Sequence, residues 1–385
     1  MIMTPFDFQP RTRIVFGPDR VETLGQLAGE MGARRAMVVT DPGIVQAGHA
    51  QRGVDALARA GIDVIVFDDV QENPTTRNVE HGVAAARRHE PELLVGLGGG
   101  SAMDCAKGVN FVYSNGGTMR DYWGVGKALK EMLPMIAVPT TAGTGSETQS
   151  FALISDEKTH VKMACGDKKA SCRVAILDPT LTVTQPERIT ALTGIDAIAH
   201  AVETYVTNKK NPVSLAFSRE AWRLLAQNFV RVLQEPTNLD ARGGMQLGAC
   251  FAGLAIENSM LGAAHALANP LTASYGVAHG QAVGMMLPHV VRFNSVEFNA
   301  CYSELLEVTA GLPGCPDPQT GGEGLAEFLN WLLTQANLAT SLSDCQVSRD
   351  TLPQLAQKAA EQWTAGFNPR TVNQDALQNM YEQAF

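Results

Sequence analysis

Charge is sparse in this 385-residue chain, at 18% of positions, and aromatic rings are sparser still at 6%. Thirty Lys and Arg stand against 39 Asp and Glu, giving a net charge of −9, and no basic cluster breaks that balance. Such a chain has no electrostatic footprint for a polyanion, so a nucleic-acid partner is not expected. No apolar run approaches the length that spans a bilayer, and the start, Met1-Ile-Met-Thr-Pro-Phe-Asp7, lacks the basic and apolar regions of a signal peptide. The expectation is a cytoplasmic protein with no membrane contact. Seven cysteines are scattered without C-x-x-C spacing, so reduced structural thiols are the default. Internal repeats and low-complexity linkers are absent too.

What is present is apolar: 45% of residues are hydrophobic, enough for two packed domains. The first half alternates short apolar strands with helices. Strands are predicted at Arg13–Gly17, Ala36–Thr40, Ile62–Phe67, Leu93–Leu97 and Pro134–Val138, with helices at Arg20–Met31, up to Ala60, and at Asn78–His89. This pattern predicts an α/β domain with a mostly parallel sheet covered by helices on both faces. Ligands bind such sheets at the carboxyl ends of the strands.

The polar residues at those ends carry information. Leu93–Leu97 runs into Gly98-Gly99-Gly100-Ser101, with Asp104 and Lys107 on the next helix, and Pro134–Val138 runs into Pro139-Thr-Thr-Ala-Gly-Thr-Gly-Ser-Glu147. Glycines let backbone N–H groups approach a pyrophosphate at a helix N-terminus. One glycine cluster alone reads equally well as a tight strand-to-helix turn; two such loops suit a dinucleotide. Asp41 ends its strand, where it could accept from a ribose diol and repel a 2′-phosphate, favouring NAD over NADP. It could equally cap the helix that Pro42 begins.

From Gln185 onward the periodicity is helical, placing the boundary between an α/β domain over 1–187 and an all-α domain over 188–385. Helices are predicted at Thr190–Thr207, Val213–Gln234, Asp240–Ala268, Gly280–Phe293, Ser295–Thr309, Gly324–Ala336, Asp350–Gln362 and Gln374–Gln383, with Pro288 ending or kinking its helix and Gly311–Gly322 an exposed loop. Asp196 and His200 stand four apart and leave one helix face. His265 follows near the end of an apolar run, and a loop over Pro270–Ala278 would return His279 to the same point. Three imidazoles and one carboxylate suit Fe²⁺ or Zn²⁺. A helical Asp-x-x-x-His pair such as Asp196–His200 is by itself more often an ordinary hydrogen bond, roughly three times in four. Its setting among Ala- and Gly-rich buried helices, where unpaired charge is expensive, favours the metal.

Taken together, Gly98-Gly-Gly-Ser-x-x-Asp104-x-x-Lys107, Pro139 to Glu147, Gly194-x-Asp196-x-x-x-His200-x-x-Glu203, His265 and His279-Gly280 resemble the iron-containing (group III) alcohol dehydrogenases. The resemblance spans nearly the whole chain, including Asn73-Pro-Thr75 and Asn368-Pro-Arg370. It implies the architecture shared with dehydroquinate synthase, a metal held by Asp196, His200, His265 and His279, and dimers or higher homo-oligomers. It also implies a nucleotide lined by Asp41, Asn73, Gly98, Gly99, Gly100, Ser101, Asp104, Thr140, Thr141, Thr144 and Lys162. The expected activity is interconversion of a small alcohol and an aldehyde or ketone by hydride transfer to or from NAD(H), with a metal polarising the oxygen.

One departure stands out. Many members carry a further His four residues after the third ligand, and this chain has Asn269. An amide can orient a substrate or water but exchanges no proton near neutral pH; it could also cap a helix before Pro270. Other activities compatible with the motifs are a maleylacetate-type or other oxo-acid or aldehyde reductase, and a dehydroquinate synthase-like lyase. A purely structural metal would need a closed ligand shell.

Overall fold

The apolar strands of the first half line up as the alternation predicts. In a computed structural model, which describes residues 5–159 and 161–385, the chain forms two compact units, Gln9–Gln185 and Pro186–Phe385, the latter joined by the segment up to Phe8. The first four residues of the N-terminal reading lie outside the described range.

The α/β unit runs β1 (Arg13–Phe16), α1 (Leu24–Glu30), β2 (Arg35–Val39), α2 (Pro42–Gln46), α3 (His49–Arg59), β3 (Asp63–Phe67), α4 (Thr76–His89), β4 (Leu93–Gly98), α5 (Gly100–Asn115), β5 (Gly124–Val125), β6 (Met135–Pro139), β7 (Phe151–Ser155), β8 (Lys162–Gly166) and β9 (Val174–Leu177). Six strands form one sheet in the order β1-β9-β6-β4-β2-β3, every pair parallel. Alternate residues of each strand serve opposite faces. Met37, Val39, Leu94, Met135 and Ala137 join one core with residues of α4 and α5, while Ala36, Val38, Leu93, Val95, Ile136 and Val138 join another with α1 and α3. Burial on both faces is why these strands read as unbroken apolar runs.

Four strands escaped the sequence reading. β9 is four residues long, and it inserts between β1 and β6. β7 and β8 pair antiparallel and, with β5, form a separate three-stranded sheet. These segments are too short for period alone to separate strand from loop. Their burial identifies them instead: Ala152, Ile154, Met163 and Cys165 extend the core beneath α5.

The second unit contains α6 (Glu187–Val206), α7 (Pro212–Gln234), α8 (Leu239–Asn258), α9 (Ala263–Tyr275), α10 (His279–Thr309), α11 (Gly321–Gln335), α12 (Leu352–Ala360) and α13 (Gln374–Gln383). Phe8 goes with this unit and not with the α/β domain to which the sequence assigned it, because its ring lies 6.2 Å from that of Phe217 on α7. Among the described residues no single helix is long and apolar enough to cross a membrane.

Four helical boundaries differ from expectation. The single helix predicted over Asp240–Ala268 is two, α8 and α9, bent by 105° at Ser259–Gly262. The freed N–H of Ala264 is accepted by Glu203 Oε1 at 2.7 Å, and that of Ala263 by Asn368 Oδ1 at 3.4 Å. Distant side chains thus satisfy the donors that a new helix start leaves open. Pro270 begins no loop; α9 continues through it to a left-handed Gly276. Likewise α10 passes unbroken through Pro288, and the break expected between Phe293 and Ser295 falls instead at Phe298, whose φ of −119 and ψ of 25 kink the helix. The expected loop over Gly311–Gly322 already contains a 3₁₀ turn at Pro318–Thr320, and α11 begins within it at Gly321.

Between β6 and β7 lies Glu147, whose carboxyl is lifted to about 7, burial outweighing its own backbone N–H and the Lys107 ammonium. A raised acid favours the folded state below the ordinary carboxyl range and loses that contribution as pH climbs to about 7. Glu147→Gln is therefore expected to stabilise the protein more at pH 8 than at pH 5, by up to about 3 kcal/mol. Thermal unfolding at the two pH values measures this, and an equal change at both would contradict it.

Candidate metal centre and nucleotide loops

Asp196, His200 and Glu203 occupy positions i, i+4 and i+7 of α6, hence one face, and all three are buried. His265 sits in the first turn of α9, and His279 opens α10. The three helices aim these side chains at one oxygen. Asp196 Oδ1 lies 3.5 Å from His200 Nε2, 3.5 Å from His265 Nε2 and 3.7 Å from His279 Nε2. Donors around a four-coordinate ion with bonds near 2.1 Å stand about 3.4 Å apart, close to these spacings. One ligand atom each from Asp196, His265 and His279 falls within 4.8 Å of the others.

Two of these atoms, Asp196 Oδ1 and His265 Nε2, are buried and make no hydrogen bond. Orphaned polar atoms facing one another at such cost are what a cation would satisfy, so the donor set fits a divalent metal. Electrostatics register the same crowding of carboxylates and imidazoles. Burial alone would raise the Asp196 carboxyl, but His200, His265 and His279 together hold it well below the usual range. Burial lowers His265, yet the carboxylates of Glu203 and Asp196 bring it up to about 9. His279 is the open member, its side chain 35% exposed.

Local packing sets this convergence. A Cβ on Gly280 would fall 2.0 Å from the carbonyl oxygen of Leu192, so the first turn of α10 lies against the backbone of α6 in a way only glycine permits. That contact places His279 beside Asp196.

In the α/β unit the glycine and threonine loops sit side by side because β4 and β6 are neighbours, Gly98 opposite Pro139. Thr140 N–H donates to Gly98 O at 2.9 Å. Gly98 adopts φ +152, and a Cβ on Gly100 would lie 2.6 Å from the Thr144 methyl, while Gly99 faces Thr141. Gly100 and Ser101 form the first turn of α5, a 16-residue helix. Asp41 does cap α2, its Oδ1 accepting from Ile44 N–H at 3.1 Å; Oδ2 lies 3.4 Å from where a Gly98 Cβ would stand. Asn73, at φ 53, donates its N–H to Ser101 Oγ and accepts from Lys162 Nζ at 3.2 Å. Asp104 accepts from Ser146 Oγ at 2.7 Å. Lys107, fully buried, donates to Ser146 O and Oγ, Gln149 O and Phe151 O within 3.0 Å, tying α5 to the second loop.

Residues 10–179 match the profile of the iron-containing alcohol dehydrogenases, and residues 190–385 match the C-terminal profile of the same family. The chain belongs to the iron-containing alcohol dehydrogenase family. It is an oxidoreductase of the alcohol and aldehyde class, with the parallel-sheet and helical units typical of iron-containing alcohol dehydrogenase structures. It is 32% identical to the 1,3-propanediol dehydrogenase of Klebsiella pneumoniae over 99% of both chains. A crystal structure of a 1,3-propanediol oxidoreductase superposes with a TM-score of 0.95 at 32% identity, over 99% of this chain and 100% of that one. Sulfoacetaldehyde reductase from Bifidobacterium kashiwanohense, solved in complex with NAD+, superposes at 0.90 with 29% identity over 99% of each chain.

Two residues in contact with the site had gone without a role in the sequence reading. Glu203 stood in the family-like motif, and the structure sets its Oε2 2.5 Å from His265 Nδ1; its i+7 spacing from Asp196 was the available signal. Gln362 had none, for its Oε1 accepts from Asn269 Nδ2 at 3.0 Å across 93 residues. Asn269 lies inside α9, one turn beyond His265, so the helix-cap alternative does not apply to it.

Gly280→Ala is expected to push α10 off α6 and weaken zinc retention at least about tenfold. Chelator competition on the purified protein reads the change, and unaltered retention would show that His279 does not depend on this contact.

Proposed function

We propose that this family member is an NAD-dependent dehydrogenase of small alcohols in which Asp196, His200, His265 and His279 hold a divalent metal. The observation that carries the reading is the convergence of three imidazole nitrogens on the buried, unpartnered Oδ1 of Asp196. When bound, the ion supplies Lewis-acid polarisation of a substrate oxygen and NAD supplies the hydride acceptor. All-N/O donors suit Fe²⁺ or Zn²⁺.

The chain's own residues supply position and electrostatics. Asp196, His200 and His265 are buried among alanines of α6 and α9, which keeps water from their inner side. His279 leaves the outer side open to substrate. Asn269, its amide N–H held by Gln362, orients and does not exchange protons, so proton release falls to solvent or to a hydroxyl of the bound nucleotide. In the α/β unit the backbone N–H groups of Gly99 to Ser101 at the start of α5 receive the pyrophosphate, with Thr140, Thr141 and Thr144 beside them. Asn73, Asp104 and Lys162 fix the loop edges, and the free oxygen of Asp41 takes the ribose diol. The relatives' names favour a short diol or aldehyde as substrate. Cytoplasmic location, as expected from the sequence, and a homodimer or larger homo-oligomer, from the family resemblance, complete the proposal.

The test is NADH formation by protein reconstituted anaerobically with Fe²⁺ or Zn²⁺ across short alcohols, diols and hydroxy acids. Metal-dependent NADH production is expected, and silence with metal and NAD both bound would turn the reading toward an oxo-acid reductase or a lyase. Asp196→Ala and His265→Ala should each lose at least about a thousandfold in kcat/KM while the α/β unit stays folded; full turnover by either metal-stripped variant would overturn the assignment. Asp41→Gly should raise the NADP-to-NAD ratio of kcat/KM about tenfold, a ratio left unchanged telling against the ribose role.

A further inference from the structure

We infer that Glu203 is a positioning residue that sets the tautomer of His265 and thereby the metal affinity of the centre, an inference that rests on the metal reading above. Glu203 faces two groups at once. Its Oε1 accepts from the backbone N–H of Ala264 at 2.7 Å, and its Oε2 lies 2.5 Å from His265 Nδ1. It is buried, as is His265.

As a carboxylate Glu203 has only acceptors. The Nδ1 that faces it must therefore carry a proton, so the proton a metal displaces on binding is the one at Nε2, the atom 3.5 Å from Asp196 Oδ1. Histidines that bind metals commonly have their second nitrogen fixed by such an outer partner. The backbone contact makes the arrangement selective. A glutamine of the same shape would have to turn its carbonyl oxygen toward Ala264 N–H, leaving its NH₂ against Nδ1. That NH₂ donates, so Nδ1 becomes the acceptor and the ring proton moves to Nε2, where it occupies the metal's place. Turning the amide over restores the ring but sets NH₂ against N–H. No orientation of an amide satisfies both neighbours, whereas either oxygen of a carboxylate does.

The same contact links the centre to the fold. Glu203 lies on α6 and Ala264 in the first turn of α9, so one side chain both ends the bend after α8 and aims the ligand that follows it. Asn368, which accepts from Ala263 N–H and pairs with Asn294, also holds the helix start.

The experiment compares the full-length wild type with Glu203→Gln and Glu203→Asp, using Zn²⁺ affinity by chelator competition, the visible spectrum of Co²⁺-loaded protein and the melting temperature of metal-free protein. Glu203→Gln should weaken Zn²⁺ binding about ten- to a hundredfold and alter the Co²⁺ bands, with Glu203→Asp, still a carboxylate, recovering part of the affinity. A merely structural role would lower both melting temperatures without separating Gln from Asp in the spectrum. Affinities and Co²⁺ spectra of Glu203→Gln matching a wild type that binds one metal would overturn the tautomer role and leave the metal centre standing. Failure of the wild type to bind metal would overturn both.

Discussion

A buried carboxylate oxygen with no hydrogen bond is the constraint around which the helical unit is arranged. Asp196 Oδ1 has been taken out of water and given three imidazole nitrogens within 3.7 Å. Such a group is tolerable only if positive charge lies against it. Three helices must therefore arrive at one point, and each arrival has a separable cause: the i, i+4 geometry of α6, the capped start of α9, and the close backbone contact that Gly280 allows between α10 and α6.

The α/β unit solves a different problem by the same kind of packing. A parallel sheet buried on both faces leaves its strand ends as the place where polar backbone can gather. Neighbouring β4 and β6 bring a glycine loop and a hydroxyl loop together there, and the buried ammonium of Lys107 fastens them with four acceptors from the second loop and the strand beyond. A fully buried lysine is costly unless its hydrogen bonds are complete, and here they are. Thr144 packed over Gly100 and Thr141 over Gly99 give the glycine turn its shape.

Asn269 departs from the family-like motif without disturbing the helix that carries it. It lies a turn beyond His265 on α9, and its amide is engaged by Gln362 near the end of α12. A proton-exchanging group at that position would have offered a local relay. An amide tethered to a second amide offers direction without acidity.

Much of this was legible in the order of residues, because it depends on neighbours. Apolar runs over Ala36–Thr40, Leu93–Leu97 and Pro134–Val138 specify parallel strands, helical periodicity specifies the second half, and four-residue spacing puts Asp196 and His200 on one face. Helix and strand periods are local properties, and so is the side from which a side chain leaves. What the tertiary structure decided involves partners far apart in the chain. The bend between α8 and α9 exists because Glu203 and Asn368 accept the N–H groups it frees, 61 and 105 residues away. Pro270 and Pro288 sit inside helices because packing held together what local chemistry would have broken. β9 is a strand because β1 and β6 stand on either side of it. Sequence alone determined which groups of this protein could bind a metal and a nucleotide; only the tertiary contacts decided that four of them share one point, since that depends on backbones from three helices closing on each other.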